Sequence, residues 1–233
     1  MLAGGTGSRM GHPKQFIDLS GRPALYHTLR AFEDAPAVDR VYAVGDRERI
    51  ERLAREAGIS KYAGCAEPGE TRSLSTRSGL LLCEDEQEAI VLIHDGSRCL
   101  ITPDLIGRVA RAARGGADGV VPALPVSDTI KVAENGSVTQ TLDRATLHAA
   151  QTPQAFRLDL LRRIYAAPER VLRAATDDAS LVENAGGRVV VVAGEKTNIK
   201  LTTPEDLILA EAILLAREGA HRDERRGAGQ RVW

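Results

Sequence analysis

Short apolar runs alternate with amphipathic segments along most of the chain. The runs are rich in valine, isoleucine and alanine, and the four clearest are VYAVG (41–45), AIVLIHD (89–95), GVVPAL (119–124) and RVVVVAG (188–194). They are apolar at nearly every position rather than at alternate positions, which is typical of strands buried on both faces of a parallel sheet. We therefore expect an α/β fold with a mostly parallel sheet and helices on both faces.

Helical periodicity lies between these runs. After Gly45, one helical face collects the apolar residues Ile50, Leu53, Ala54 and Ala57. Thr102-Pro103 and Thr203-Pro204 each place a capping threonine before a proline, the usual signature of a helix start. The second of these helices carries acidic residues in its first turn, which suits the helix dipole. We expect it to end at Gly219, since glycine is a common residue just past a helix.

Two segments depart from the alternation. Residues 129–142 have β-rich arms around Asn135-Gly136, the strongest short signal for a hairpin. Such a hairpin is either a lid or edge element, or an arm that grips a partner. Residues 217–233 are charged and aperiodic, and we expect them to form a disordered tail.

Composition narrows the class of protein. A chain of 233 residues with 43% hydrophobic and 27% charged residues suits one or two soluble domains. The net charge of -1 argues against a generally basic nucleic-acid binder, and no apolar run is long enough to predict a membrane span or signal peptide. Three cysteines without a CxxC motif argue against a disulfide framework or zinc site and favour the cytoplasm.

The first chemical motif is the glycine-rich segment LAGGTGSRM (2–10). Its three glycines leave backbone N–H groups free to approach a phosphate closely. Met10 stands where the dinucleotide-binding fingerprint requires glycine, and the Gly-Lys-Ser/Thr of a P-loop is absent. Arg9 and Lys14 flank the loop, and two cations there suit a triphosphate. The alternative is a glycine-rich turn with surface cations.

The second motif is IVLIHDGSR (90–98), in which Asp95 follows an apolar strand. Ligands of open parallel sheets bind beyond the carboxyl ends of strands, and a carboxylate there can hold Mg²⁺ against phosphates. The alternative is that Asp95 caps a helix or forms a turn, while His94 is expected to pack or hydrogen-bond.

Ser75 precedes an apolar helix, so it either caps that helix or contacts a base edge. The sequence has no HExxH, GxSxG or histidine cluster, which argues against triad or zinc chemistry.

An ordered set of motifs resembles one known family. In chain order these are LAGGTGSRMG, PKQF, ETRSLSTRSGL, IHDGSR, PVSDTIK, QTPQAF, TDDASLVE and NIKLTTPEDL. Together they resemble the 2-C-methyl-D-erythritol 4-phosphate cytidylyltransferases of the non-mevalonate isoprenoid pathway. The first motif is shared by many nucleotidyltransferases, whereas the complete ordered set is specific. The resemblance implies a single Rossmann-like nucleotidyltransferase domain over residues 1–216, with a hairpin arm at about 126–150.

The resemblance also implies an activity and a set of site residues. A family member transfers a cytidylyl group from CTP to a polyol phosphate with Mg²⁺, as a cytoplasmic homodimer without nucleic-acid or membrane partners. The residues implied to bind the nucleotide are Ala3, Gly4, Gly5, Gly69, Ser75 and Gly96. The residues implied to act in catalysis are Arg9, Lys14, Arg144 and Lys200. The metal ligand would be Asp95, and the polyol phosphate would contact Arg98, Thr152 and Thr176. Arg144 and Thr176 would serve the neighbouring subunit's site.

Two positions depart from the family pattern, and three alternatives compete with it. Cys99 stands where many members have proline, and only Met1-Leu2-Ala3 precede Gly4 where members have a longer strand, so we expect an incomplete start. A ribitol-5-phosphate cytidylyltransferase would share the glycine loop and the PKQF and QTPQ segments. An NAD-dependent oxidoreductase is disfavoured by Met10. An inactive interaction protein is disfavoured by the full set of charged site residues.

Overall fold

The computed structural model describes residues 1–5, 13–83 and 88–229, with side chains as far as Gly219. The strands are β1 (Leu2–Ala3), β2 (Asp18–Leu19), β3 (Arg22–Pro23), β4 (Val41–Gly45), β5 (Tyr62–Ala66), β6 (Ile90–Ile93), β7 (Gly119–Pro125), β8 (Lys131–Glu134), β9 (Ser137–Thr141), β10 (His148–Ala150), β11 (Gln154–Arg157) and β12 (Val189–Ala193). The α-helices are α1 (Ala24–Glu33), α2 (Arg47–Glu56), α3 (Arg72–Leu81), α4 (Pro103–Ala113), α5 (Leu158–Tyr165), α6 (Glu169–Ala174), α7 (Asp178–Asn184) and α8 (Pro204–Gly229). All four apolar runs form strands, as the sequence predicts.

The main sheet is built from two halves that meet at β1. In the first half, β4 pairs in parallel with β1 on one side and β5 on the other. In the second half, β11 lies between β6 and β7 and is antiparallel to both, while β12 pairs in parallel with β7. A parallel bridge between Leu2 and Asp95 joins the halves. The α/β sheet is confirmed, and the antiparallel β11 is an addition that the sequence pattern did not predict.

Helices cover both faces of this sheet, and each face has its own apolar core. Neighbouring strand residues point to opposite sides: Val120 belongs to one core and Val121 to the other. The first core is closed by α1, α2 and α4, and the second by α3, α5, α6 and α7. A strand buried on both faces needs apolar side chains at consecutive positions, which is why these runs do not alternate.

Local signals set most helix starts. Asp46 caps α2 by accepting a hydrogen bond from the backbone N–H of Arg49 at 3.1 Å, and Thr102 caps α4 with Pro103 at the first helical position. The start of α8 at Pro204 is also as expected, but its predicted end at Gly219 is wrong. Gly219 lacks the positive φ of a terminating glycine, and the flanking Arg, Glu and Ala residues favour helix, so the segment expected to be disordered is helical as far as Gly229.

The predicted hairpin is confirmed in β8 and β9. Asn135 and Gly136 have φ values of 50° and 79°, as a tight two-residue turn requires. We call residues 126–150 the hairpin arm. Every residue from 127 to 141 is exposed, and β8 and β9 pair only with each other among the strands of the described chain. Within the same part of the chain, no helix is long and apolar enough to cross a membrane.

Candidate active site

A cleft of about 650 Å³ opens where the glycine-rich loop leaves β1. Gly4 and Gly5 line it, together with Pro68 from the opposite wall. A Cβ at Gly4 would lie 2.4 Å from the Cβ of Pro68, so only glycine fits there. The buried Gln15 donates hydrogen bonds to the carbonyls of Ala3 at 2.6 Å and Gly5 at 3.1 Å, which fixes the start of the loop. Arg9 lies outside the described residues.

Two of the predicted catalytic lysines come together at one end of the site. Lys14 begins a short 3₁₀ helix after the loop, and its Nζ lies 3.5 Å from the carbonyl oxygen of Thr202. Lys200, two residues before Thr202, places its Nζ 2.8 Å from Asp95 Oδ2. Segments far apart in the chain therefore concentrate positive charge beside the glycine loop.

Asp95 lies at the carboxyl end of β6, where the strand-end rule predicts a ligand-binding residue. Its Oδ1 accepts a hydrogen bond from Arg72 Nε at 3.0 Å, and its Oδ2 faces Lys200. Burial alone would raise the pKa of this carboxyl, but Arg72 and Lys200 outweigh burial and hold the pKa well below its usual range. Asp95 is therefore a buried, ionised carboxylate between two cations.

Arg72 extends this arrangement to a second carboxylate. Its Nη1 donates to Asp178 Oδ2 at 2.6 Å, and Asp178 is fully buried. Asp178 also accepts hydrogen bonds from Thr76 Oγ1 at 3.0 Å and from the hydroxyl of Tyr165. We call Lys200, Asp95, Arg72 and Asp178 the Asp95 cluster. The motif analysis missed Arg72, although a cation in the first turn of a helix is disfavoured by the dipole and signals an anionic partner.

Ser75, within α3, is hydrogen-bonded to Gly69, which precedes the helix. The helix cap is Thr71, whose Oγ1 accepts from the backbone N–H of Leu74 at 3.2 Å, so the expectation that Ser75 caps this helix is wrong. Ser75 is buried, donates to the Thr71 carbonyl at 2.9 Å and accepts from the N–H of Gly69 at 3.1 Å. A Cβ at Gly69 would lie 2.5 Å from the Cβ of Leu74. Ser75 thus holds Gly69 so close to α3 that a residue with a Cβ would not fit there.

Thr152 fixes the backbone of Asp95 through a hydrogen bond. Thr152 is buried, and its Oγ1 accepts from the backbone N–H of Asp95 at 3.1 Å and lies 3.0 Å from Nδ1 of His94. His94 is fully buried, and burial lowers its pKa to about 3, so the ring is neutral. The expectation that His94 packs and hydrogen-bonds is confirmed. These contacts make Thr152 part of the support for the carboxylate.

Arg98 braces the segment that carries Lys200. Its Nη1 donates to the Asn198 carbonyl at 2.9 Å and its Nη2 to the Ala150 carbonyl at 3.3 Å. Burial lowers the pKa of Arg98. Gly96 donates its N–H to the carbonyl of Leu2 at 2.8 Å, so the turn after Asp95 is tied to β1. A Cβ at Gly96 would lie 3.0 Å from that same oxygen.

Arg144 and Thr176 are both exposed and lie in different segments of the fold. Arg144 is exposed on the hairpin arm, where its Nη1 donates to the Ser127 carbonyl at 3.0 Å. Thr176 is exposed two residues before Asp178. Among the contacts of the described residues, Arg144 makes none to the Asp95 cluster.

The residues around Asp95 fit a divalent cation that is shared with phosphates. No group of three potential metal ligands occurs in the described ranges, so the chain there does not form a complete metal cage. Mg²⁺ commonly binds one or two carboxylates and takes its remaining ligands from phosphates and water. Each oxygen of Asp95 has one hydrogen-bonding cation and retains acceptor capacity. Asp95 is therefore suited to be a single protein ligand for a cation that takes its other ligands from phosphates and water.

The fold and site define a Rossmann-like α/β nucleotidyltransferase, with a glycine loop after the first strand and a carboxylate–cation cluster at the end of a neighbouring strand. The family model for 2-C-methyl-D-erythritol 4-phosphate cytidylyltransferase matches residues 1–216. The chain belongs to this family, and the resemblance drawn from the ordered motifs is confirmed.

Individual relatives agree with the family match. A protein of Rubrobacter xylanophilus named 2-C-methyl-D-erythritol 4-phosphate cytidylyltransferase is 69% identical over 218 residues, which are 94% of each chain. A protein of the same name from Rhodococcus jostii is 44% identical over 224 residues, again 94% of each chain. The crystal structure of the 2-C-methyl-D-erythritol 4-phosphate cytidylyltransferase from Thermus thermophilus has a TM-score of 0.74 and 34% identity, covering 93% of this chain and 96% of that one.

Proposed function

We propose that this chain transfers the cytidylyl group of CTP to 2-C-methyl-D-erythritol 4-phosphate and releases pyrophosphate, in isoprenoid precursor biosynthesis. The observation that carries the proposal is the arrangement of Lys14, Lys200 and Asp95: Lys14 Nζ lies 3.5 Å from the carbonyl oxygen of Thr202, and Lys200, two residues earlier in the chain, pairs with Asp95. This family membership and this charge arrangement together support a reaction between two phosphate-bearing substrates.

The chemistry follows from charge. An oxygen of the substrate's phosphate monoester attacks the α-phosphorus of CTP, a new P–O bond forms, and the bond to pyrophosphate breaks. The nucleophile is already ionised at neutral pH, because the second pKa of a phosphate monoester is about 6. A general base is not needed, which agrees with the neutral, buried ring of His94. The barrier comes largely from bringing two anions together in line, so positioning and cations dominate catalysis.

The residues expected to contact phosphates or the metal would act in this reaction as follows. The backbone around Gly4 and Gly5 cradles the triphosphate, and Lys14, with Arg9, stabilises charge that develops on it. Lys200 holds the polyol phosphate with the N–H donors not used by Asp95. Asp95 would hold Mg²⁺, which would neutralise phosphate charge when bound.

The enzyme acts as a cytoplasmic homodimer in this proposal. The exposed hairpin arm carries three apolar side chains, Ile130, Val132 and Val138, that are at least 36% exposed in the single chain. In this proposal, covering them with a second subunit would bring Arg144 and Thr176 to the neighbouring subunit's site. The three cysteines are free and buried, which agrees with a reducing compartment.

A pyrophosphate-release assay tests the activity. The purified chain receives CTP and Mg²⁺ with either methylerythritol phosphate or ribitol 5-phosphate, and parallel samples contain a chelator. We expect turnover with methylerythritol phosphate that the chelator abolishes. Faster turnover with ribitol 5-phosphate would assign the chain to the alternative substrate, and release with neither would reject the proposal.

A further inference from the structure

Arg72 occupies a position that its helix disfavours. It is the first residue of α3, where the positive end of the helix dipole opposes a cation. Its Nη2 is buried and has no hydrogen-bond partner among the described residues. A buried, unsatisfied donor costs free energy, and so does a cation at this helix end. Both costs are incurred at a residue that joins the candidate metal ligand to a second buried carboxylate.

We propose that Arg72 is a positioning residue that holds the turn carrying Asp95 and the start of α7 in register with each other. It acts through Asp95 on one side and through Asp178 on the other. This inference rests on the proposed function, because it assigns Arg72 a role in aligning the two substrates of that reaction.

The two carboxylates belong to different elements of the fold. Asp95 follows β6, while Asp178 is the first residue of α7 and lies two residues after Thr176. The start of α7 is fixed to the sheet as well, because Gln154 Nε2 of β11 donates to Asp177 Oδ2 at 2.6 Å. Arg72 is therefore a direct link between the turn that carries Asp95 and the start of α7.

The shape of arginine makes this link possible. Nε reaches Asp95 at 3.0 Å and Nη1 reaches Asp178 at 2.6 Å, so one rigid fork sets the relation between the two carboxylates. A lysine ammonium keeps the charge but lacks the fixed planar fork of donors. If the relation between the carboxylates matters, Arg72→Lys is not a conservative change.

The same helix provides a matched control. Arg77 also lies on α3 and pairs with Glu169 Oε1 at 2.6 Å, but both side chains are more than one-third exposed. Arg77→Lys therefore makes the same chemical change in an ion pair away from the site. Surface pairs of this kind contribute little to stability.

Two variants break the link from opposite ends. Arg72→Lys keeps the positive charge, and Asp178→Asn keeps the size while removing the charge from the far end. If alignment is lost, we expect each to lower kcat about 10- to 100-fold, the cost of a small misplacement of reacting groups. We also expect weaker CTP binding by calorimetry in Asp178→Asn, because Arg72 loses the partner that fixes its position beside Asp95. Arg77→Lys should match wild type in both measurements.

The double variant gives the sharpest readout. If both changes break one link, Arg72→Lys with Asp178→Asn loses no more activity than the worse single variant. Losses that multiply would show that the two residues act independently and would overturn the proposal. So would unaltered CTP binding in Asp178→Asn, or unfolding of both single variants by circular dichroism, since either result leaves Arg72 a purely structural role. Turnover by the wild-type chain tests the proposed function separately, so its failure is distinguishable from failure of this link.

Discussion

The Asp95 cluster and the hairpin arm differ in how far a single chain completes them. The Asp95 cluster places alternating charges in a pocket where Asp178 is fully buried and Asp95 is 8% exposed, and each carboxylate has a cationic partner within the chain. The hairpin arm is exposed throughout residues 127–141, and Val138 there is 61% exposed. The charges of the Asp95 cluster are paired within one chain, whereas the apolar side chains of the arm are left exposed to solvent in that chain.

This difference predicts where substitutions act. Charges removed from water interact strongly and are costly to leave unpaired, so changes at the Asp95 cluster should affect both stability and chemistry. Side chains on the arm contact mostly water, so changes there should affect the fold little and act only through a second subunit. The following experiments test that division.

The largest expected effect belongs to Lys14. Lys14→Ala should lower kcat by about 10²- to 10³-fold, because it removes a cation that stabilises charge in the transition state. Its thermal melting should stay close to wild type, since Lys14 is only half-buried. Steady-state kinetics with both substrates measure the loss, and near-wild-type turnover would remove Lys14 from the catalytic set.

Acid should destabilise the fold through His94. Its folded pKa of about 3 lies below the ~6.5 of an unfolded histidine, so the unfolded chain binds an extra proton below about pH 6.5. This contribution to stability is complete above that pH and falls by about 1.4 kcal/mol per pH unit as the pH drops toward 3. Between pH 7 and pH 5 the loss should be about 2 kcal/mol, measured by urea unfolding in a chelating buffer.

Two histidine variants separate the buried group from exposed ones. His94→Gln should reduce the pH dependence of the unfolding free energy between pH 7 and pH 5, and the part that remains is expected from the buried amino group of Met1, whose pKa burial lowers to about 6. His148→Gln, at an exposed position on β10, should leave the slope as it is. An unchanged slope in His94→Gln would show that another group controls acid stability.

Asp95→Asn should lower the free energy of unfolding by about 2 kcal/mol and raise the Mg²⁺ requirement. From the sequence alone we expect unchanged stability, but the burial of Asp95 between Arg72 and Lys200 revises that expectation. Glu134→Gln makes the same change on the exposed arm and should alter neither property. Equal stability of the two variants would contradict the division between cluster and arm.

Subunit mixing should recover about a quarter of wild-type activity. Lys14→Ala and Arg144→Ala are each expected to be nearly inactive. If Arg144 serves the other subunit's site, a mixed dimer has one site with both defects and one with neither, and random assortment makes half of the dimers mixed. Activity after confirmed subunit exchange measures this, and zero recovery would place Arg144 in its own chain's site.

The smallest expected effect is on the arm itself. Val138→Thr should change the unfolding free energy of the isolated chain by less than about 0.5 kcal/mol, as at other exposed positions. If the arm packs against a second subunit, the same variant should weaken dimerisation, measured by sedimentation. A variant that alters the fold but not dimerisation would show that the arm packs within its own chain.

Local sequence patterns predicted the individual strands and helices better than they predicted which strands pair in the sheet. Continuous apolar runs, Thr102-Pro103 and Asn135-Gly136 act over a few residues, and the structure has the expected strands, helix start and hairpin. The antiparallel placement of β11 depends on pairing with β6 and β7, which are distant in sequence. The end of α8 was missed because a glycine signal does not outweigh helix-forming neighbours on both sides.

The candidate site could likewise be predicted only where its residues belong to local motifs. Motif spacing and resemblance pointed to Asp95 and Lys200, and the structure brings them within 2.8 Å. Arg72 and Asp178 were missed because their partnership spans 106 positions and appears only after folding. Thr152 and Arg98 also hydrogen-bond to the Asp95 N–H and the Asn198 carbonyl, long-range contacts that the sequence alone does not indicate.

The short strand β1 has a consequence for how this enzyme loses activity on heating. Leu2 donates its N–H to the His94 carbonyl at 2.8 Å and accepts from Gly96 at 2.8 Å, and the glycine loop begins two residues later. The loop and the turn carrying Asp95 thus share a few backbone hydrogen bonds. Local opening of a few bonds requires far less free energy than unfolding of the two cores. The backbone amides of Leu2 and Gly96 should therefore exchange hydrogen faster than the amides of β7. On heating, catalytic activity should be lost at a lower temperature than the one at which the molecule unfolds.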